Sequence, residues 1–398
     1  MTRILIFALL FWINLPIHAQ DSIVYKPNQI RDFKLVPLPA IASNPANGWL
    51  FGIAPSATWR MGDPESTHLS NLVGNLVYTT KKQWLISSRS TIFLADDSWI
   101  LVGDWRFFIT SQPTFGLGSS SPNEPTENPK QADVWWGEQQ MDYNWVRFYE
   151  TVLKRISTSK FYLGVGYHLD IYSKIDNFIE DGIPQEFTFS NDFYNHSKGF
   201  NLDKNTLSGI TLNAIMENRD LAVSPYETNF ALVSYKINPE FLGSNQSSST
   251  LLLDYRHYFP LSEKRKRHLL ALWSYANFLV SGDLPYMALP SIGYDLFGRS
   301  GRGYSQGRFR GESMVYSEAE YRFPLQKNKE TFGGTIFVNA ASFGSKLTQE
   351  NLLTKINPGY GLGLRVMINK ANRTTITADY GFGQKGNSGF YLNINESF

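Results

Sequence analysis

Three arginines, Arg302, Arg308 and Arg310, sit in a glycine-rich stretch from Gly301 to Gly311 that carries no acid until Glu312. Directly after it, Glu318, Glu320 and Arg322 fall two residues apart. The chemistry open to such a set is ion pairing. Period-two spacing puts the three ionisable groups on one face of a strand, with Ala319, Tyr321 and Phe323 on the other. The charged face needs water or partners, because an unpaired buried charge is very costly. Other reactive constellations are missing from the sequence. Its six histidines are scattered, and it has no H-E-x-x-H, no G-x-S-x-G and no phosphate loop. Asp104, Arg106, Asp254 and Arg256 could form a hydrolytic site inside a barrel, but charge pairs lining a lumen explain them more simply. No enzyme activity, cofactor or metal is expected.

A strand that is wet on one side and apolar on the other, repeated along a long chain, describes a transmembrane β-barrel. The 398 residues allow about sixteen such strands. They are expected at 34–43, 48–60, 70–80, 83–94, 98–110, 140–156, 160–172 and 207–220, then at 229–241, 250–261, 268–280, 312–325, 331–343, 357–369, 374–382 and 389–398. In 99–109, Trp99, Leu101, Trp105, Phe107 and Ile109 make a lipid-compatible face, while Asp104 and Arg106 point the other way. In 357–369, Tyr360, Leu362, Leu364 and Val366 face outward. Gly359, Gly361, Gly363 and Arg365 face inward, leaving room for something to press against the wall. Pro37 and Pro39 predict a short, weakly paired first strand.

Counted from a periplasmic N-terminus, the long connections 111–139, 173–205, 281–311 and 344–356 all fall on one side, the extracellular one. The opposite turns are mostly short. A soluble aromatic-rich sandwich gives no reason for that asymmetry. Aromatic residues make up 15% of the chain, which suits interfacial girdles. The net charge of +2 carries no nucleic-acid footprint, and the basic run 264–267 reads as a solvated turn. Residues 1–19 read as a signal peptide, with Arg3, an apolar run over 4–13 and a cleavage site after Ala19. Residues 20–33 read as a short periplasmic segment and 34–398 as the barrel. The expected address is the bacterial outer membrane, with its lipid as the first partner.

The loop, the strand after it and the C-terminus resemble the BamA/TamA family of outer-membrane barrels, the bacterial surface antigen family. Arg302-Gly303-Tyr304 is similar to that family's loop-six motif, and it is followed by Glu318-Ala319-Glu320-Tyr321-Arg322-Phe323. Glu217-Asn218-Arg219-Asp220, Gly361-Leu362-Gly363-Leu364-Arg365 and Asp379 are similar to further family signatures. The resemblance implies that the loop folds into the lumen and that Arg302 pairs with Glu320. The position of a second family acid falls at Asn339, so Arg302 would lean on Glu320, Glu318 or Asp379. A paired guanidinium in a partly dry lumen suits bidentate carboxylates. The last strand, with Phe390, Leu392, Ile394 and Phe398 on one face, resembles a C-terminal assembly signal, although Glu396 shares that face.

Family members that assemble or secrete proteins carry periplasmic POTRA domains, and 20–33 is too short for one. The resemblance therefore implies protein insertion or secretion with separate periplasmic or outer-membrane assembly proteins as partners. The alternative is a structural barrel or passive channel that keeps the scaffold without that activity.

Overall fold

The computed structural model describes residues 31–398 apart from 45–46, 124–125, 129–130, 179–187, 223, 296–297, 328 and 371–372. The expected leader at 1–19 and most of the segment 20–33 lie outside the described residues. Sixteen antiparallel strands close into a barrel. They are β1 (Arg31–Asn44), β2 (Gly48–Arg60), β3 (Ser70–Thr79), β4 (Trp84–Phe93), β5 (Trp99–Thr114), β6 (Gln139–Arg155), β7 (Phe161–Phe178) and β8 (Lys204–Glu217). Then follow β9 (Thr228–Asn238), β10 (Ser248–Pro260), β11 (Leu269–Gly282), β12 (Ser313–Pro324), β13 (Phe332–Gly344), β14 (Asn357–Asn369), β15 (Thr374–Phe382) and β16 (Ser388–Ile394).

The alternation that predicts these strands also sorts their side chains. On β14, Tyr360, Leu362 and Leu364 are 58–60% exposed, while Gly359, Gly361, Gly363 and Arg365 are buried. On β5, Trp99, Trp105, Phe107 and Ile109 point outward, and Asp104 and Arg106 point in. An apolar surface of this extent around a whole barrel is stable only against lipid.

The long connections cluster at one end and are more structured than a polar loop. β5 runs on past Pro113, and β7 runs to Phe178, so both project beyond their expected ends. Above them, short strands Thr126–Asn128, Gln131–Trp136 and Thr188–Phe189 form a small sheet, followed by helix α1 (Ser190–Ser197). Trp136 of this sheet and Tyr194 of the helix pack with Leu117, Tyr286 and Leu289 as an apolar cap.

Two expectations about the strands need correction. β1 is not short. It pairs with β2 from Arg31 to Asn44, past both prolines, and its weak side is the other one, where, among the described residues, only Ser43 opposite Leu392 connects it to β16. Pro37 and Pro39 lie two apart, so the donors they lack point to the same side of the strand. The basic turn 264–267 is also not simply solvated. Arg265 donates to the Gln326 carbonyl at 2.5 Å, and Arg267 is buried and donates to the carbonyls of Glu330 and Thr331. The turn thereby ties two neighbouring hairpins together.

Candidate functional site

The connection between β11 and β12 folds back into the lumen and brings Arg302 against the acids of the inner wall. Arg302 is 3% exposed. Its Nη1 donates to Asp379 Oδ2 at 2.8 Å, and its Nη2 donates to both Glu318 and Glu320. The guanidinium lies over the Phe337 ring, 3.6 Å from its centroid. Local structure explains the convergence. Glu318 and Glu320 are two apart on β12, so both face inward, and Asp379 reaches the same point from β15.

Close approach depends on glycines. Gly303 takes φ +107°, open to glycine and strained for any other residue. A Cβ at Gly381 would sit 2.8 Å from the Arg302 carbonyl carbon, and one at Gly359 would sit 2.9 Å from the Arg302 carbonyl oxygen. Gly359 therefore receives the loop as expected. Gly361 and Gly363 do different work: Gly361 makes room for Phe337, and Gly363 makes room for Asp379 and Arg365. Gly381 is a loop-receiving position that inward alternation on β15 could have revealed.

Tyr304 fixes the other end of the motif. Its hydroxyl donates to the Pro358 carbonyl at 2.6 Å and accepts from the Gln384 amide at 3.0 Å. The Tyr391 hydroxyl donates to the Tyr304 carbonyl at 2.9 Å and accepts from the Gly303 amide at 3.0 Å. Asn339 does not touch the guanidinium. Its amide donates to the Arg302 carbonyl at 3.0 Å, so it positions the loop's main chain in place of supplying a charge.

The pairing continues beyond the loop. Arg322 Nε donates to Glu320 at 2.7 Å, and Arg365 bridges Glu320, Asp379 and Glu396. Glu396 belongs to this buried set and not to the lipid face. Its place overturns the expected outward row: Phe390 faces out at 37% exposure, but Phe398 is 4% exposed and packs against Trp273 and Tyr258 inside the barrel. The cause is a turn. Asn395 has φ +68°, and Arg299 donates to the carbonyls of Ile394, Asn395 and Glu396 at 2.6–2.8 Å. Those carbonyls are thereby tied to the connection that enters the lumen. Arg299 sits three residues before the motif, and no pattern in the sequence marks it.

A sixteen-stranded barrel with an inward-folded loop locked by an arginine on its inner wall defines a class of integral outer-membrane protein. Residues 171–398, more than half of the chain, match the Omp85 superfamily domain, and the chain belongs to that superfamily. The fold is similar to that of BamA from Haemophilus ducreyi lacking POTRA domains 1–3, with a TM-score of 0.56 and 14% identity over 91% of this chain and 70% of that one. It is also similar to CdiB from Acinetobacter baumannii, with a TM-score of 0.50 and 13% identity over 92% of this chain and 65% of that one. No curated protein matches this chain.

Proposed function

We propose that this barrel inserts or translocates proteins at the outer membrane by parting the seam between β1 and β16, working with separate periplasmic or outer-membrane partners and without a catalytic step. The observation that carries the reading is the seam itself. Among the described residues, β1 and β16 share one register pair, Ser43 with Leu392, whereas β16 and β15 pair from Ile394 to Ser388. A ladder this short holds few of the bonds that must break for strands to separate, and it leaves edge groups ready to pair with an incoming strand. The family of the chain supports the same reading. A passive channel is supported less, because the loop and the cap occupy the lumen and its extracellular mouth.

The chain has no cysteine, so an engineered pair is unambiguous. Ser43→Cys with Leu392→Cys places two thiols at opposed positions within disulfide reach. In cells depleted of the native protein, the oxidised double variant should fail to restore the level of other outer-membrane proteins, and reduction should restore it. Equal complementation by the oxidised and reduced forms would leave the structural-barrel reading in place.

A further inference from the structure

We propose that Arg299 is a positioning residue of the seam. Carried on the connection that enters the lumen, it holds the end of β16 through the backbone acceptor that the next rung with β1 would use, so the position of this loop sets the length of the seam. The proposal rests on the seam reading given above and deepens it.

The register shows which rung is lost. Ser43 lies opposite Leu392, so an antiparallel ladder continued by two residues would set Ile41 opposite Ile394. Among the described residues the pairing does not continue to that position. Both residues nevertheless turn their backbone groups to the seam. Pro37 lies opposite Pro55 on β2, and neither can donate, so theirs is a non-hydrogen-bonded pair whose backbone groups face away from β2. Backbone direction repeats at every second residue, so Pro39, Ile41 and Ser43 also face the β16 side. On the other strand, the Asn395 amide donates to the Thr375 carbonyl of β15 at 2.6 Å. Ile394, one residue back and opposite Ile376, therefore turns its amide and carbonyl away from β15 and toward β1.

Arg299 meets that carbonyl first. Its Nη2 donates to the Ile394 carbonyl at 2.7 Å, and its Nη1 donates to the carbonyls of Asn395 and Glu396 at 2.8 and 2.6 Å. The arginine is itself held in place. Asp295 Oδ1 accepts from the amides of Arg299 and Ser300 at 2.9 and 2.7 Å, and Arg302, three residues on, is locked to the acids of the inner wall. A charged fork that binds three carbonyls at once outcompetes one neutral amide. Beyond Ile41 the β1 edge offers little to pull the tail back. Continued register sets Pro39 opposite Glu396, and proline has no N–H. With the loop withdrawn, the Ile394 carbonyl is free for the Ile41 amide, and the seam gains a rung.

The test compares two cysteine pairs in the full chain, Ile41→Cys with Ile394→Cys and Ser43→Cys with Leu392→Cys. Each is folded in detergent and oxidised with copper phenanthroline. Disulfide formation is followed by the mobility of the boiled, unreduced chain on a denaturing gel. With Arg299 in place, the 43–392 pair should close faster than the 41–394 pair. Arg299→Gln should speed the 41–394 pair about tenfold or more, since one hydrogen bond to a charged group is worth about that factor, and should leave the 43–392 pair unchanged. Arg299→Lys keeps the charge but not the fork, so it should also speed the 41–394 pair. It is the deciding variant if the glutamine chain loses the heat-induced gel shift that marks a folded barrel. Equal rates at the two pairs with Arg299 in place, a 41–394 rate unchanged in the Arg299 variants, or the same acceleration at both pairs would each overturn the proposal; the last would make Arg299 a general stabiliser. No partner protein and no cell enters this readout, so its failure is distinct from a failure of the complementation that tests the seam's function.

Discussion

On the wall made by β12 to β16, Arg302, Arg322 and Arg365 meet Glu318, Glu320, Asp379 and Glu396, and side-chain exposure runs from 0 to 6%. On the opposite wall, Arg89, Arg106, Arg147 and Lys236 meet Asp104 and Asp170. There Arg89, Arg147 and Lys236 keep 13–24% exposure. Both walls use one local unit, an acid and an arginine two residues apart on an inward face. Asp104 with Arg106 and Glu320 with Arg322 are examples, joined by Asp254 with Arg256 on β10. The difference lies in what reaches the unit. On the first wall a loop and the C-terminal tail bring further charges, exclude water and complete the set. On the second, the salt bridges of the described residues run within and between strands. An inward charge pair in this barrel is therefore a wall fixture by default. It becomes a latch only where a distant segment supplies a partner.

The largest expected effect comes from breaking the latch. Arg302→Ala leaves three carboxylates buried without their shared cation. It should cost about 3–5 kcal/mol, the range for removing one partner of a buried pair. Urea unfolding in detergent, or the temperature of the heat-induced gel shift, measures the loss. Glu320→Ala should approach it, and the double variant should cost clearly less than the sum, because the residues share an interaction. Simple additivity would reduce Arg302 to another wall fixture.

On the wetter wall, Asp170→Ala removes the acceptor for Arg147 Nε at 2.8 Å and for the Trp145 indole at 3.0 Å. Water can reach the cations left behind, so about 1–3 kcal/mol is expected in the same assay. A loss equal to that of Arg302→Ala would erase the distinction between the walls.

A third pair sets the lower end of the scale. His68, in the turn between β2 and β3, meets Asp97 through its ring, and its amide donates to Asp97 at 2.8 Å. The hydrogen bond to Asp97 raises the imidazole above its usual value, with burial opposing and the carboxylate charge adding to the rise. A raised folded value means that the stabilisation is fully present below the unfolded pKa of about 6.5 and is lost as pH rises through the folded value. The gap in stability between the wild type and His68→Ala should be greatest in acid, at about 1 kcal/mol or less, and should close in alkali. A gap that widens with rising pH would show that the pair does not exist in solution.

Strand pattern was the most legible layer, because a pleated wall between lipid and lumen forces period-two alternation at every turn of the chain. β14 shows this plainly, with four outward apolar residues interleaved with glycines and Arg365. The acids that receive Arg302 were also legible, since Glu318 and Glu320 share parity and Asp379 lies on an inward face.

Alternation fails where a strand stops. Carried on to Phe398, it places Phe398 and Glu396 on the lipid face. The left-handed Asn395 and the three bonds from Arg299 turn them inside, where Glu396 meets Arg365. That turn depends on residues far apart in the chain. The sequence by itself determined the sixteen strands, their inward and outward faces and the charges available to a latch, because those follow from local periodicity. Only the tertiary structure decided which charges meet, that Asn339 holds main chain and not a guanidinium, and that the seam is short, among the described residues, on one side of β1. Those outcomes depend on the register of closure and on where a loop lands, and neither is encoded by any neighbouring residues.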